Sequence, residues 1–333
     1  YLKPARSREN LQIVTRAAVQ RIELDGKRAT GVTYKDAGGR VITATARCEV
    51  ILSGGAIGSP QILMQSGIGE AAQLKENGIT PLHDLPAVGK NLQDHLQARL
   101  VYKCNEPTLN DEVRSLTNQA RIALKYALFR SGPMTMAASL ATGFFKTRPD
   151  VETPDIQFHV QPWSADSPGE GVHPFSAFTM SVCQLRPESR GEIRLAGPDP
   201  AAYPKIIPNY LSTETDCRTL VEGVRIARKI ARHAPLTSKI SAEFRPTAAL
   251  DMDDYEGTLD WARDNSVSIY HPTGTCKMGK GPDSVVDDAL RVNGITGLRV
   301  ADCSIMPEIV SGNTNAPAIM IGEKASDLIS ASS

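Results

Sequence analysis

The sequence predicts an α/β protein with an additional α+β region that is built on an antiparallel sheet. Three observations support this prediction. A short apolar strand (CEVIL), a Gly/Ala-rich turn and a helix follow one another at residues 48–66. Short strand patterns and frequent prolines occur together at residues 133–215, which is typical of antiparallel sheets. An amphipathic helix follows at residues 217–235, with its apolar residues at helical spacing.

The length and the charge of the chain limit the classes of protein to consider. Its 333 residues are enough for two domains and a sizeable core. Lys and Arg together number 37, as do Asp and Glu, so the formal net charge is zero. This balance argues against nucleic acid or an anionic membrane as the main partner. No apolar run approaches the roughly 18–20 residues that span a bilayer. Because the chain opens at Tyr1 rather than Met, we expect a natural start, and any targeting signal, upstream.

The cysteines indicate a reducing compartment. They are scattered and form no CxxC pair, which predicts free thiols, a cytoplasmic location and no metal site. The six positions are Cys48, Cys104, Cys183, Cys217, Cys276 and Cys303.

The first hundred residues predict a meander of strands followed by half of a βαβ unit. Residues 11–52 alternate as strands do, with turns at Asp25–Gly26 and Gly38–Gly39. In SGGAIGSPQILMQSG, Ser59–Pro60 is expected to open a helix that Gly67 closes. The segment GIGEAA at residues 67–72 formally fits the dinucleotide fingerprint. We reject that match because the fingerprint needs a strand before its first glycine, whereas ILMQS has the character of a helix.

The remaining elements are predicted from periodicity. Residues 98–130 are polar and helix-like. The segments DIQFHVQPW, FTMSVCQL and GEIRLAG predict strands, and TLDWARDN predicts a helix. Residues 287–307 return to strands and turns, and APAIMIGEKASDLI predicts a final helix.

Four residues in three segments stand out as candidates for chemistry, and each has a plainer interpretation. His271, in SIYHPTGTCKMG, has the pKa range of a general base, but a single histidine beside an apolar strand is also common in cores. Asn313 and Asn315, in SGNTNAP, can hydrogen-bond a substrate or a heterocycle, or they can satisfy turns, with Asn315 placed to cap the last helix. Asp302 lies at a strand end, where it can bind a ribityl or ribose hydroxyl or serve a turn. No side chain accepts a hydride, so a site that oxidises a hydroxyl group needs a flavin or a nicotinamide.

Four segments, in this order, resemble the signatures of the glucose–methanol–choline (GMC) flavin oxidoreductases, in their choline/alcohol dehydrogenase-like branch. They are GAIGSPQILMQSGIG (55–69), VGKNLQDHL (88–96), YHPTGTCKMG (270–279) and GLRVADCSIMPEIVSGNTNAPAIMIGEKASDLI (297–329). The resemblance implies a GMC-type FAD-binding domain and a substrate domain built on an antiparallel sheet flanked by helices. The implied boundaries are 1–97 for part of the FAD-binding domain, 98–265 for the substrate domain, and 266–333 for the return to the FAD-binding domain.

The resemblance also implies a set of site residues. His271 matches the residue that takes the hydroxyl proton of an alcohol, and Asn313 matches its hydrogen-bonding partner. The residues matched to contacts with FAD are Val19, Tyr270, Asp302, Cys303, Thr314, Asn315 and Ala316. The implied reaction is oxidation of an alcohol to an aldehyde, with the electrons passing to a quinone-like acceptor or to O₂. A quinone-like acceptor would add membrane association to a cytoplasmic protein.

Two departures from the family pattern shape the expectations. The strand–GxGxxG–helix unit that holds the ADP half of FAD is not in this sequence, so we expect an incomplete FAD-binding domain and a missing N-terminal segment. An inactive, flavin-free fragment is therefore one alternative.

The second departure concerns the substrate. Aligning Phe144 with a family phenylalanine puts Leu140 where choline-oxidising members carry a glutamate. An uncharged primary alcohol is then favoured over choline, with choline dehydrogenase as the other alternative. Trp163 and Phe175 belong either to an aromatic site or to the core.

Overall fold

The computed structural model describes residues 1–137, 139–166 and 169–331. The helices in these residues are α1 (Leu2–Ala5), α2 (Gly55–Gln65), α3 (Ala71–Glu76), α4 (Leu109–Arg114), α5 (Leu116–Phe129), α6 (Glu214–Ala231), α7 (Tyr255–Asp264) and α8 (Asn315–Ser330). The strands are β1 (Ala18–Asp25), β2 (Arg28–Lys35), β3 (Val41–Thr45), β4 (Val50–Leu52), β5 (Ile68–Gly69), β6 (His83–Asp84), β7 (Leu96–Cys104), β8 (Ala141–Phe145), β9 (Ile156–Gln161), β10 (Ala177–Gln184), β11 (Glu192–Arg194), β12 (Lys205–Ile207), β13 (Ile240–Arg245), β14 (Ser266–Ser268) and β15 (Leu298–Val300).

The N-terminal meander is a three-stranded antiparallel sheet in the order β1-β2-β3. The predicted alternation is confirmed from Ala18 onward, whereas residues 11–17 form no strand. The buried strand predicted at CEVIL is β4, and β15 pairs with it in parallel, with Leu298 opposite Val50. Strands 246 residues apart are thus adjacent, and one apolar core joins residues 22–92 to residues 276–325.

Helix α2 begins at Gly55, so the prediction that Ser59–Pro60 opens it is wrong. Pro60 lies inside the helix and has no N–H to donate to the Ala56 carbonyl four residues earlier. The hydroxyl group of Thr275, which is fully buried, donates to that carbonyl at 2.6 Å instead. A distant side chain therefore replaces the missing backbone bond. Gly67, at φ +76°, follows the helix end as expected.

The second part of the fold is a six-stranded antiparallel sheet in the order β13-β7-β10-β9-β8, with β14 pairing to β7. The strands predicted at DIQFHVQPW and FTMSVCQL are confirmed as β9 and β10. The prediction of helix from residue 98 is wrong over residues 98–104, which belong to β7, an inner strand of the sheet between β13 and β10. LQARLVYKC does alternate between apolar and polar residues as far as Leu100, but this short pattern runs directly into the polar, helix-like residues that follow it.

The two faces of this sheet differ sharply in polarity. Residues opposite each other in an antiparallel pair share a face. Leu100 and Met180 are one such pair, and they pack with Val224 and other residues of α6 in a second apolar core. On the other face, Arg99 lies opposite Ser181, which lies opposite His159. The amphipathic helix predicted at residues 217–235 is α6, and it leaves the polar face of the sheet free for a site.

The chain ends in α8, as the sequence predicts. Thr314, rather than Asn315, is the N-cap residue, and Asn315 is the first residue of the helix. In the described residues, no helix combines the length and the apolar character that crossing a membrane requires. The domain boundaries at residues 97 and 265 stay a prediction.

Candidate active site

His271 is held by its backbone at the end of β14. Tyr270, directly before it, has a left-handed φ of +63°, and this conformation turns the chain away from the strand. The buried carboxylate of Asp94 then accepts the His271 backbone N–H at 2.9 Å and the hydroxyl group of Ser268. Tyr210 donates its hydroxyl group to the same carboxylate. The position of His271 is therefore fixed without using its imidazole nitrogens.

A second histidine determines which nitrogen of His271 is free. His95 Nε2 lies 3.0 Å from the Leu185 carbonyl oxygen, and His95 Nδ1 lies 3.0 Å from His271 Nδ1. A carbonyl oxygen only accepts, so the proton of a neutral His95 is on Nε2 and its Nδ1 is an acceptor. His271 Nδ1 must then be the donor. His271 Nε2 is left with a lone pair, as a general base requires.

The pKa values agree with two neutral imidazoles. Burial lowers the pKa of His95 to about 4, and this side chain is 1% exposed. Burial also lowers the pKa of His271, which is half-buried, although the Asp94 carboxylate acts in the opposite direction. Both rings are therefore unprotonated near pH 7.

The structure brings Asn313 to the free nitrogen of His271. Asn313 Nδ2 is 3.5 Å from His271 Nε2, across 42 residues of sequence. The Asn313 amide oxygen faces Gln157 Nε2, also at 3.5 Å. His159 is close to both residues: burial and His271 lower its pKa, and the hydrogen bond that its ring can donate to the Asn313 amide oxygen raises it. The two predicted catalytic residues thus share one small polar site.

The segment VGKNLQDHL holds the loop that carries His271 in place through hydrogen bonds. Gln93 exchanges backbone hydrogen bonds with Thr273, at 3.1 and 2.9 Å. The Asn91 and Gln93 side chains both donate to the Pro307 carbonyl, at 3.1 Å. Gly274 packs so closely here that a Cβ atom would lie 2.4 Å from the Asn91 carbonyl oxygen. The segment therefore fixes the His271 loop relative to the chain that leads to Asn313.

Asp302 lies where β15 ends, beside the N-terminus of α2. Its carboxylate accepts from the Gly55 N–H at 3.0 Å, from the Ser59 hydroxyl group and from the Ser304 N–H at 2.7 Å. These bonds join the last part of the chain to α2 and neutralise the positive end of that helix. Cys303, directly after Asp302, is half-buried, and burial raises the pKa of its thiol.

The other residues predicted to contact FAD leave polar and backbone groups accessible. Tyr270 is 73% exposed, and Asn313, Asn315 and Ala316 are exposed, whereas Thr314 is buried. Val19 is on β1, an edge strand whose outer side pairs with no other strand in its sheet. The exposed surface beside His271, with the polar and backbone groups of residues 313–316, fits a flat heterocyclic cofactor, so the residues present are compatible with FAD. The individual contacts stay predictions.

A cavity of about 290 Å³ opens beside Asn313 on the polar face of the six-stranded sheet. Trp163 lines it, whereas Phe175 stacks on His173 away from it. Among its other lining residues are Gln97, Arg99, His159 and Gln161. Sequence reasoning missed these residues, together with Asp94 and His95. The period-2 alternation in QARLV and in IQFHVQ was the signal available for those on β7 and β9.

Comparisons with known proteins agree with the fold. Family models described as GMC oxidoreductase match residues 1–97 and 187–322. The chain belongs to the GMC oxidoreductase family. The family resemblance and the mixed α/β fold predicted from the sequence are confirmed.

Two curated relatives match nearly all of the chain. An alcohol dehydrogenase [acceptor] of Pseudomonas putida is 41% identical over 99% of this chain and 60% of its own length. An oxygen-dependent choline dehydrogenase of Paraburkholderia xenovorans is 41% identical over 99% of this chain and 58% of its own length. The chain thus spans about three fifths of these relatives.

Solved structures give the same result. A formate oxidase of Aspergillus oryzae RIB40, studied for FAD modification, matches with a TM-score of 0.90 at 26% identity, over 98% of this chain and 62% of its own. Pyridoxine 4-oxidase of Mesorbium loti matches with a TM-score of 0.82 at 28% identity, over 98% and 59%. The structural neighbours are FAD-dependent enzymes, which confirms the predicted cofactor at the level of the family.

Proposed function

We propose that the protein oxidises a primary alcohol without a positive charge to the aldehyde, with His271 as the base. The observation that carries this proposal is the lone pair on His271 Nε2, which faces Asn313 at 3.5 Å and is fixed by the His95 contact. A hydroxyl group bound between the two side chains can donate its proton to Nε2. The Asn313 amide can then donate to the alkoxide oxygen.

The chain supplies the proton acceptor and FAD supplies the electron acceptor. Bound FAD would supply the acceptor for the hydride of the substrate carbon, which no side chain can supply. Tyr270, Thr314, Asn315 and Ala316 are the residues proposed to hold it near His271, with Asp302, Cys303 and Val19 proposed along its ribityl and adenine parts. Loss of one proton and one hydride from R–CH₂OH leaves R–CHO, so the reaction balances.

The surroundings of the cavity disfavour choline, although a choline dehydrogenase is 41% identical. Leu140, which is 57% exposed, provides no counter-charge at the place expected for one. Arg99, which lines the cavity, would repel a trimethylammonium group. The electron acceptor is proposed to be a quinone-like compound or O₂. We also propose a cytoplasmic location, with membrane association through such an acceptor. The six cysteines, all of which are free thiols, support a reducing compartment.

The test of this function is His271→Gln in the flavin-loaded protein. Removing the base should lower kcat for primary alcohols by ~10²–10⁴-fold, the usual contribution of a general base. The bands of bound flavin near 450 nm should stay. His233→Gln, the same change at an exposed histidine, is the control and should leave kcat unaltered.

Three results would count against the proposal. Near-normal turnover by His271→Gln would exclude that residue as the base. Faster turnover of choline than of neutral alcohols would favour choline dehydrogenase. Failure of the protein to bind added FAD would favour an inactive fragment.

A further inference from the structure

The polar face of the six-stranded sheet carries a row of polar side chains. Arg99, Ser181 and His159 lie opposite one another on β7, β10 and β9, and Gln161 follows one pair along. Arg99 Nη1, Ser181 Oγ and Gln161 Oε1 are buried, and none of the three has a hydrogen-bond partner in the described residues. Buried polar groups are nearly always paired, so this concentration of unpaired atoms points to a bound ligand.

Arg99 is the charged member of the row. It is 5% exposed, and no carboxylate lies within 4 Å of it in the part of the chain that the structure describes. Asp166, the carboxylate that acts on Arg99 electrostatically, already bonds Arg245 at 2.9 Å and faces His173 at 3.2 Å. Burial, and then the charge of Arg245, lower the pKa of the Arg99 guanidinium, and the more weakly acting Asp166 and Tyr270 oppose them without restoring it.

The row and the proposed reaction centre share one cavity. Arg99, His159, Gln161 and Asn313 all line the space of about 290 Å³, so a small molecule can reach Asn313 with one end and Arg99 with the other. A guanidinium presents a rigid fork of donors that matches the two oxygens of a carboxylate. His159 and Gln161 add hydrogen-bonding groups between the two ends.

We propose that the cavity selects a hydroxy acid, whose carboxylate binds Arg99 while its primary hydroxyl group reaches His271 and Asn313. The proposal rests on the proposed function for the hydroxyl end only. It replaces the uncharged alcohol expected from the sequence with an alcohol that carries a negative charge at its far end.

Binding of a carboxylate that cannot react tests the anion site separately from catalysis. In the flavin-loaded protein, calorimetric titration with butanoate should show saturable binding, with butanamide binding more weakly. Arg99→Met should weaken butanoate binding roughly 10- to 100-fold, because a charge-assisted hydrogen bond is lost. Arg99→Lys keeps the positive charge but not the paired donors of the guanidinium, so it should recover part of the affinity for butanoate. Arg121→Met removes an exposed arginine on α5 and should leave the binding unchanged.

Turnover then tests the whole substrate. For hydroxy acids from 3-hydroxypropanoate to 6-hydroxyhexanoate, kcat/KM should exceed that of the matching 1-alkanol. Arg99→Met should remove this preference. Its turnover of the 1-alkanols would show that the variant is folded. Equal butanoate binding by the wild type and Arg99→Met would overturn the anion site even if alcohols are oxidised. Arg99-dependent butanoate binding without oxidation of any alcohol would support the anion site and overturn the proposed function instead.

Discussion

The chemistry of His271 depends on a residue that does not touch the cavity. His95 bonds the Leu185 carbonyl through one nitrogen and His271 through the other, and this order of donors leaves His271 Nε2 unprotonated. A histidine is useful as a base only when the correct nitrogen is free. The sequence presents His95 merely as part of NLQDHL, and the pairing across 176 residues is visible only in three dimensions.

Exchange of His95 tests this tautomer at the residue scale. His95→Leu removes the acceptor for His271 Nδ1–H, so kcat should fall by at least about 10-fold. The full contribution of a general base, ~10²–10⁴-fold, sets the upper limit of the loss. In ¹⁵N spectra, the ring nitrogens of His271 should change from one tautomer to a mixture. His95→Gln can still donate to Leu185 and accept from His271, so it should keep most of the activity. Unchanged ¹⁵N shifts in His95→Leu would refute the argument.

At the scale of one element, α2 shows how the HPTGTC segment serves the fold as well as the site. The Ala56 carbonyl has no N–H partner at Pro60, and Thr275 supplies a hydroxyl group from the loop that follows His271. The helix that lies against Asp302 and the loop that carries His271 are therefore coupled by one buried hydrogen bond.

Thr275→Val tests this coupling because valine has the shape of threonine without its donor. The free energy of unfolding in urea should fall by about 1–3 kcal/mol, the cost of a buried carbonyl without a partner. Thr237→Val, at an exposed threonine, should change it by less than about 0.5 kcal/mol. Pro60→Ala restores an N–H four residues after Ala56, so the loss from Thr275→Val should shrink in that background. Fully additive losses in the double variant would contradict the coupling.

At the scale of the whole molecule, three histidines that the fold keeps neutral make stability depend on pH. The pKa values of His95, His159 and His271 are all lowered, chiefly by burial. The unfolded chain therefore binds more protons than the folded one between the ordinary histidine pKa, about 6.5, and the lowered values. This contribution to stability is fully present above pH 6.5 and is lost as the pH falls toward 4.

The measurement is the free energy of unfolding in urea at pH 7 and pH 4.5. With a pKa of about 4 in the folded state, His95 alone should account for a loss of about 2 kcal/mol between these two values. The Asp36, Asp111, Asp166 and Asp283 carboxyls, whose pKa values are lowered, titrate mainly below this range. His95→Gln cannot titrate and should show a flatter profile. An equally steep profile in that variant would exclude His95 as the source.

Local sequence was sufficient wherever periodicity and a motif agreed. Strand β4, helix α6, helix α8 and the pair His271–Asn313 could all be predicted, because alternation, amphipathic spacing and the family signatures are local properties of the chain. It was not sufficient at β7, where a strand merges into helical residues, or at Pro60, where the helix depends on a bond from Thr275.

The sequence by itself determined the family, the class of cofactor and the two residues proposed for catalysis. Only the tertiary structure decided which nitrogen of His271 is free, what holds it and what lines the cavity beside it. The physical reason is that His95 and Asp94 act on His271, which lies far away in the chain. Arg99 is brought beside Ser181 and His159 only by a strand register that no local pattern specifies. The unpaired guanidinium of Arg99, and with it the proposed substrate, appears only when the sheet is assembled.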